Sequence, residues 1–417
     1  MKILVAHKFY RRGGGPEKLI NSIEKILTRD GHISVPFSMK GEYNKNSPYY
    51  DFFIKNVDYT GQEPSNGFFS KLKIAANLIY STEAKYKIKK LINQENPDIA
   101  HIHNIYHQIS PSILPVLKEK KIPIVQTLHD WKLICPSYRL YVKDKICEKC
   151  KNNQFYNSVL QRCIKNSLPS SLLNCIEMYI HKYMRIYEDN VDIFICPSNF
   201  IRDKMIEFGL NSRKMAVIPT GIDINNFQPI YLNSGYFIYF GRLEKEKGIF
   251  TLLEAMRKVK KSSLWIIGGG LLEEKIKNII KNNNLNNVKF LGFVDEGKLS
   301  EIVQNAMFSI IPSEWYENAS SAVVEAMAYG KPVIGSRIGG IPEQIEDGVN
   351  GFLFTPGDKD ELANKINYLI SNPELAISMG KSAREKVENK YTISIYYSKL
   401  MEIYNKAIEE NKKRWKA

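Results

Sequence analysis

The sequence predicts an α/β protein made of two facing, doubly wound parallel-sheet domains. Three observations point there. Short β-branched runs alternate along the chain with polar or glycine turns and amphipathic helical stretches, the pattern of parallel sheets covered by helices on both faces. A length of 417 residues exceeds one ordinary domain. The segment 218–229, Ile-Pro-Thr-Gly-Ile-Asp-Ile-Asn-Asn-Phe-Gln-Pro, carries two prolines and a glycine. It divides the alternation into two series and reads as an interdomain linker.

In the first series, Lys2–Ala6, Ile33–Phe37, Asp98–His103, Ile122–Leu128 and Asp192–Cys196 read as strands. In the second, Tyr236–Phe240, Ser263–Ile267, Val288–Leu291, Phe308–Ile311, Pro332–Gly335 and Gly351–Phe354 do so. The domains are expected at 1–220, with a cysteine-rich insert at about 132–168, and at 221–391. A last helix spans Ser394 to Lys412. In doubly wound sheets ligands bind beyond the carboxyl ends of the strands, so two such domains enclose a cleft suited to two substrates.

Hydrophobic content of 44% and charged content of 25% are globular values. No run of about 18 apolar residues exists to span a bilayer, and the amino terminus is interrupted by charge too soon for a signal peptide. A cytoplasmic protein is expected. The net charge of +15 implies anionic partners: nucleic acid, anionic lipid or phosphorylated small molecules. A nucleic-acid surface would show stacking aromatics among clustered cations. The specific signals here are paired glutamates and cleft glycines, so no nucleic-acid partner is expected.

The segment after Ile311 reads Pro-Ser-Glu-Trp-Tyr-Glu317-Asn-Ala-Ser-Ser-Ala-Val-Val-Glu325-Ala-Met-Ala-Tyr-Gly330-Lys-Pro332. Gly330 with Pro332 stops a helix over Ser320–Tyr329. The amides near Asn318, Ala319 and Ser320 then lack intrahelical partners and face anions with positive dipole charge, a diphosphate site. Glu325 lies up to about two turns further, roughly 10 Å along the axis, a span from phosphate to ribose. Tyr239-Phe-Gly241-Arg242-Leu-Glu-Lys-Glu-Lys247-Gly248 follows a strand directly. Gly241 admits close backbone approach, and Arg242 and Lys247 can neutralise charge growing on a departing nucleoside diphosphate. After the first strand comes Lys8-Phe-Tyr-Arg11-Arg12-Gly13-Gly14-Gly15-Pro16, a phosphate-compatible turn with proline suited to open a helix.

These segments, in this order and at these distances, resemble the retaining glycosyltransferases of the GT4 type with the GT-B fold, best from Ile193 to Asp358. The most specific element is the E-x7-E pair Glu317 and Glu325, with Gly339-Gly340-Ile-Pro-Glu as a further match. The resemblance implies a nucleotide-sugar donor, UDP-linked, and a glycan or lipid-linked acceptor in surface polysaccharide synthesis. It implies that Glu317 meets sugar hydroxyls, Glu325 the ribose, and Arg242 with Lys247 the diphosphate. Gly14, Gly15, Gly241, Asn318, Ala319 and Ser320 complete the expected donor site. His129 matches the family's active-site histidine, and Arg11, Arg12, His103 and Tyr106 are expected to meet the acceptor in the first domain. No catalytic cofactor or metal is expected, and the C-terminal helix from about 392 to 417 should cross back to the first domain. Relatives often carry Phe-Gly after the first glutamate, where this chain has Asn318-Ala319-Ser320. That departure bears on which sugar is carried. Rival enzymes on a similar fold are a sugar-nucleotide epimerase and a glycan phosphorylase.

Cys135, Cys147, Cys150 and Cys163 occupy the insert at C-x11-C-x2-C-x12-C. That spacing suits a tetrahedral structural zinc, and simple burial is the alternative. Asp358-Lys-Asp360 opens a helix and reads as an N-cap. Finally, Phe68 to Lys90 has helical periodicity with Lys71, Lys73, Lys85, Lys87, Lys89 and Lys90 against Glu83. It fits a peripheral helix on the inner face of an anionic membrane, or an ordinary helix packed on the first sheet.

Overall fold

The computed structural model describes residues 1–11, 13–56, 75–231 and 234–416. Its first sheet contains β1 (Lys2–Ala6), β2 (Ile33–Phe37), β3 (Ile99–Ile102), β4 (Ile124–Thr127), β5 (Ile193–Cys196) and β6 (Met215–Val217). They lie in the order β2-β1-β3-β4-β5-β6, every pair parallel. The second sheet contains β7 (Tyr236–Phe240), β8 (Ser263–Ile267), β9 (Val288–Gly292), β10 (Ser309–Ile311), β11 (Val333–Ser336) and β12 (Gly351–Phe354). Its order is β9-β8-β7-β10-β11-β12, again parallel. Both orders reverse direction once, at β1/β3 and at β7/β10. Ligands of such sheets bind at these switch points, outside the strand carboxyl ends. The expected site segments follow β1, β7 and β10.

The central strands of each sheet are buried on both faces, which is why they read as near-continuous Ile, Val, Leu and Phe runs. Helix α1 (Gly15–Arg29) covers the first sheet with Leu19, Ile20, Ile23 and Leu27. Helix α2 (Thr82–Glu95) buries Ala84, Ile88, Leu91 and Ile92 against its other face. The basic stretch expected to meet a membrane therefore packs on the sheet where it is described. Leu78 is buried too, Lys87 pairs with Glu83 and donates to the Phe53 carbonyl, and Ser81 caps a separate helix start. Phe68, Phe69, Lys71, Leu72, Lys73 and Ile74 lie outside the described residues. None of the described helices is long and apolar enough to cross a membrane.

The insert after β4 carries an antiparallel hairpin, Tyr141–Val142 with Lys145–Ile146, and leads to helix α3 (Leu168–Tyr183). Helix α4 (Asn199–Glu207) follows β5, and α5 (Ser321–Ala328) follows β10. Helix α6 (Ile393–Lys416) returns to the first domain and buries Tyr396, Leu400, Tyr404 and Ala407 beside Ile3, Val5 and Val125. The two interdomain passages are pinned together: Ile222 N donates to Tyr391 O (2.8 Å) and Ile393 N to Ile222 O (2.7 Å). A Cβ on Gly221 would stand 2.7 Å from Tyr396 Cβ, so only glycine lets the passages come this close. The linker is thus partly structured, with a single turn at Ile224–Asn226 capped by Asp223.

Candidate active site

Helix α5 begins at Ser320 with no side-chain cap, leaving its first amides without intrahelical partners. The amide of Ser320 is already used, by Gln344 Oε1 at 3.0 Å, and Gln344 Nε2 returns a bond to Ser320 O (3.0 Å). Of the three amides expected for the diphosphate, that one is unavailable. Gln344 instead fixes the helix start.

Glu317 lies in the loop before α5, 7% exposed. Lys247 Nζ donates to its Oε1 at 2.6 Å and Ser313 Oγ at 2.7 Å. Burial pushes the carboxyl upward, yet Lys247 outweighs it and holds the group below the ordinary glutamate value. The loop is clamped from behind. Gly340 N donates to Glu317 O (2.7 Å), and a Cβ on Gly339 would stand 2.4 Å from that oxygen. The Gly-Gly-Ile-Pro-Glu segment therefore shapes the glutamate loop, and Glu343 caps the first amides of α4 across the domain boundary (2.9 and 2.7 Å).

Arg242 projects from the loop after β7, 61% exposed at the side chain, and pairs with Glu244 at 2.9 Å. Gly241 has φ +154°, and Gly268 packs so close to its carbonyl that a Cβ there would stand 1.8 Å from it. The insert reaches this loop: Arg139 pairs with the buried Glu246, and Lys245 with Asp144 at 2.5 Å. Lys247 and Arg139 both lie over the Trp315 ring.

Glu325, half-buried on α5, lines an interdomain cleft of about 1140 Å³ together with Gly13, Gly15, Lys18 and Glu296. Burial raises its carboxyl; Lys18 opposes that and Glu296 adds to it. Lys18 itself bonds Glu296 at 3.0 Å, linking α1 to the second domain. Gly14 stands just outside this cleft at φ +42°, where a Cβ would collide with the Glu17 carboxylate.

His129 follows β4 and joins the domains: Asn318 Nδ2 donates to its carbonyl at 2.7 Å. Its Nε2 shares a proton with His103 Nδ1 at 2.9 Å. His103 also lies against His101 with the rings tilted by 35°, and the nitrogens of His101 bond Tyr404 OH and Thr127 Oγ1, each at 2.7 Å. Burial depresses all three imidazoles, His101 and His129 to about 3, so the column is neutral. Tyr106 OH donates to Asp130, whose other oxygen accepts from Lys132 N (3.0 Å). His103 and Tyr106 were expected to touch the acceptor. At 1% and 6% exposure they are buried beneath His129 and Asp130 and support them instead. Arg11 is exposed and lies over the Phe9 ring, outside the cleft lining, and Arg12 is outside the described residues.

The four insert cysteines lie near one another, Cys135, Cys147 and Cys163 all acting on the Cys150 thiol. Among the described residues no group of three or more His, Cys, Asp or Glu could hold a metal ion. All four thiols are free, and Cys150 sits in an apolar cluster with Phe155, Cys175 and Met178. Burial, then the neighbouring cysteines, raises the Cys150 and Cys163 thiols, Cys163 to about 12. Asp358 caps its helix as expected, accepting from Asp360 N and Glu361 N.

Ser313, Ser198, Gln344 and Lys18 were not singled out from the sequence. Ser198 Oγ donates to Asn318 O at 2.5 Å while capping α4. Only the Cys-Pro-Ser step after β5 hints at it.

A family model described as glycosyl transferases group 1 matches residues 223–386, and one described as glycosyltransferase family 4 matches 60–226. An uncharacterized glycosyltransferase of Methanocaldococcus jannaschii is 27% identical over 92% of this chain and 93% of its own. Sucrose-phosphate synthase from Thermosynechococcus elongatus shares the fold with a TM-score of 0.72 at 19% identity, covering 98% of this chain and 99% of that one. Anabaena HepE in complex with UDP-glucose does so with a TM-score of 0.66 at 20% identity, covering 97% and 100%. With two GT-B domains in place and both halves matched, the chain belongs to the GT4-type glycosyltransferases.

Proposed function

We propose that this enzyme moves a sugar from a UDP-linked donor to a hydroxyl of a glycan or lipid-linked acceptor, with retention of anomeric configuration and without a catalytic metal. The observation that carries the reading is the buried Lys247–Glu317 pair beside the uncapped start of α5. It sets a cation and a hydroxyl-binding carboxylate where the diphosphate and the sugar of one donor would lie. The UDP-glucose complex of HepE, a protein of the same fold, supports the choice of nucleotide.

In the proposed reaction the bond from the anomeric carbon to the diphosphate oxygen breaks. The bond to the acceptor oxygen forms on the same face, and the departing diphosphate takes the acceptor proton. Lys247 and Arg242 stabilise the charge that grows on the leaving group, an interaction stronger in the transition state than in the ground state. With domain boundaries taken near 220 and 391, this reading puts the donor mainly in the second domain and the acceptor against the first.

The test is release of nucleoside diphosphate from UDP-, GDP- and ADP-sugars, with and without a chelator. Mass spectrometry and anomeric NMR should follow the products. Preference for UDP donors, chelator resistance and a retained anomer are expected. Epimerised nucleotide sugar or phosphate-dependent glycan cleavage would overturn the reading in favour of an epimerase or a phosphorylase.

A further inference from the structure

Helix α3 is amphipathic in the opposite sense to an ordinary surface helix. Its buried face sets Ser171, Asn174, Glu177 and His181 beside only two apolar side chains, Cys175 and Met178, while Leu168, Leu172, Ile176, Tyr179 and Tyr183 stand exposed. Those five recur at helical spacing, so they form one stripe along 16 residues, about 24 Å. Exposure runs from 40% at Tyr179 to 92% at Tyr183, and Leu160, just upstream, adds a further apolar side chain at 73%.

The helix cannot roll to hide this stripe, because its polar face is locked. Lys132 Nζ donates to Glu177 Oε2 at 2.7 Å, with both side chains at most 2% exposed. His107 Nε2 approaches the same oxygen at 3.2 Å, and His181 Nε2 bonds Ile79 O at 2.7 Å. Turning α3 over would strand a buried charge pair and bring no matching polar group into the core.

Cations predominate around the stripe. From Lys149 to Tyr187 the only acidic residue is Glu177, which is buried, against six cations. Lys151, Lys182 and Arg185 are paired with Glu207, Glu188 and Asp189. Lys149, Arg162 and Lys165 form no salt bridge among the described residues.

We propose that this stripe docks the protein on an anionic lipid surface. The leucines, Ile176 and the tyrosines enter the boundary between head groups and acyl chains, and Lys149, Arg162 and Lys165 meet the head-group charges. Tyrosine suits that boundary, being apolar along the ring and polar at its tip. A second copy is the poorer occupant, since two-fold contact would set these cations against themselves. The docking argument stands apart from the sugar-transfer reading. Its consequence does rest on that reading: Lys132, held by the inner face of α3, follows His129 by three residues, so docking brings the first-domain wall of the site to the lipid.

Vesicle co-sedimentation of the full chain tests this, using phosphatidylglycerol-rich and pure phosphatidylcholine vesicles at low and high salt. Binding only to the anionic vesicles, weakened by salt, is expected. The variants L172S/I176S and R162E/K165E should each lose on the order of tenfold in binding. Y183S, at the most exposed position, should lose part of it. All should keep the wild-type melting point and affinity for UDP. No anionic-vesicle binding by the wild type, or unchanged binding by Y183S and L172S/I176S, would overturn the proposal. So would a wild-type dimer in light scattering that L172S/I176S makes monomeric.

Discussion

His103 Nδ1 lies 2.9 Å from His129 Nε2, and His129 Nδ1 has no protein partner among the described residues. Two neutral imidazoles share one proton between them, so the tautomer of His103 dictates which form of the ring His129 adopts. H103F keeps the stacked ring but removes this bond, whereas H103N places an amide where Nδ1 stood. Turnover on the preferred donor should fall about tenfold or more in H103F and recover in H103N. Affinity for bare UDP should stay unchanged in both. Equal activity in the two variants would show that packing alone is at work.

The histidine column also sets acid sensitivity. Burial holds His101 near 3 in the fold, well below its unfolded value near 6.5. A lowered folded pKa means the unfolded chain binds more protons between those values. Stability is therefore fully present above about pH 6.5 and falls as pH drops, by up to about 1.4 kcal/mol per pH unit for this group. Glu177, held to about 2 by Lys132 and the neighbouring histidines despite its burial, adds a second loss below about pH 4.5. Urea midpoints across pH 4 to 8 should show an early decline in the wild type. In H101Q the decline above pH 5 should be shallower.

Strand positions and the glutamate motif were legible because each rests on local signals: β-branched runs buried on both faces, and a helix stop at Gly330. What the sequence hid is long-range. Strand β6 is three residues at a sheet edge, half-buried throughout, and carries no strong period. Lys331 reads as a surface cation, yet it is 1% exposed and caps the Ile230 carbonyl of the linker, its ammonium pushed down to about 8 by burial. The pairing of His103 with His129 joins residues 26 apart in sequence. Spacing placed each at a strand end but could not show that one buries the other. The apolar face of α2 and the apolar stripe of α3 have similar periodicity. Only the partners of Glu177 reveal that the first faces the sheet and the second faces out.

The two cations of the proposed diphosphate site should separate on mutation. Arg242 is mostly exposed and pairs only with Glu244, so R242A should lower turnover on the order of 10²-fold and leave the melting point in place. Lys247 neutralises the buried Glu317, so K247A should lower turnover at least as much and also destabilise the fold by about 3 kcal/mol. In the double variant K247A/E317Q most of that stability should return while activity stays lost. Retained turnover in R242A would remove that side chain from the mechanism.

Glu317 and Glu325 face different parts of the proposed donor, and calorimetry with UDP alone can tell them apart. Glu325 lines the open cleft opposite Gly13 and Gly15, half-buried and without a hydrogen-bonded partner among the described residues, its carboxyl raised by burial. A ribose diol would give that carboxylate the donors it lacks, so E325Q should weaken UDP binding by about tenfold, the cost of a charge-assisted pair. The raised carboxyl sets a direction as well: wild-type UDP affinity should improve as pH rises through its titration, and E325Q should lose that dependence. Glu317 is already satisfied by Lys247 and Ser313, and in the proposed function it meets the sugar. E317Q should therefore hold UDP nearly as well as the wild type and fail only with the whole nucleotide sugar. Equal losses of UDP affinity in both variants would contradict this division of roles.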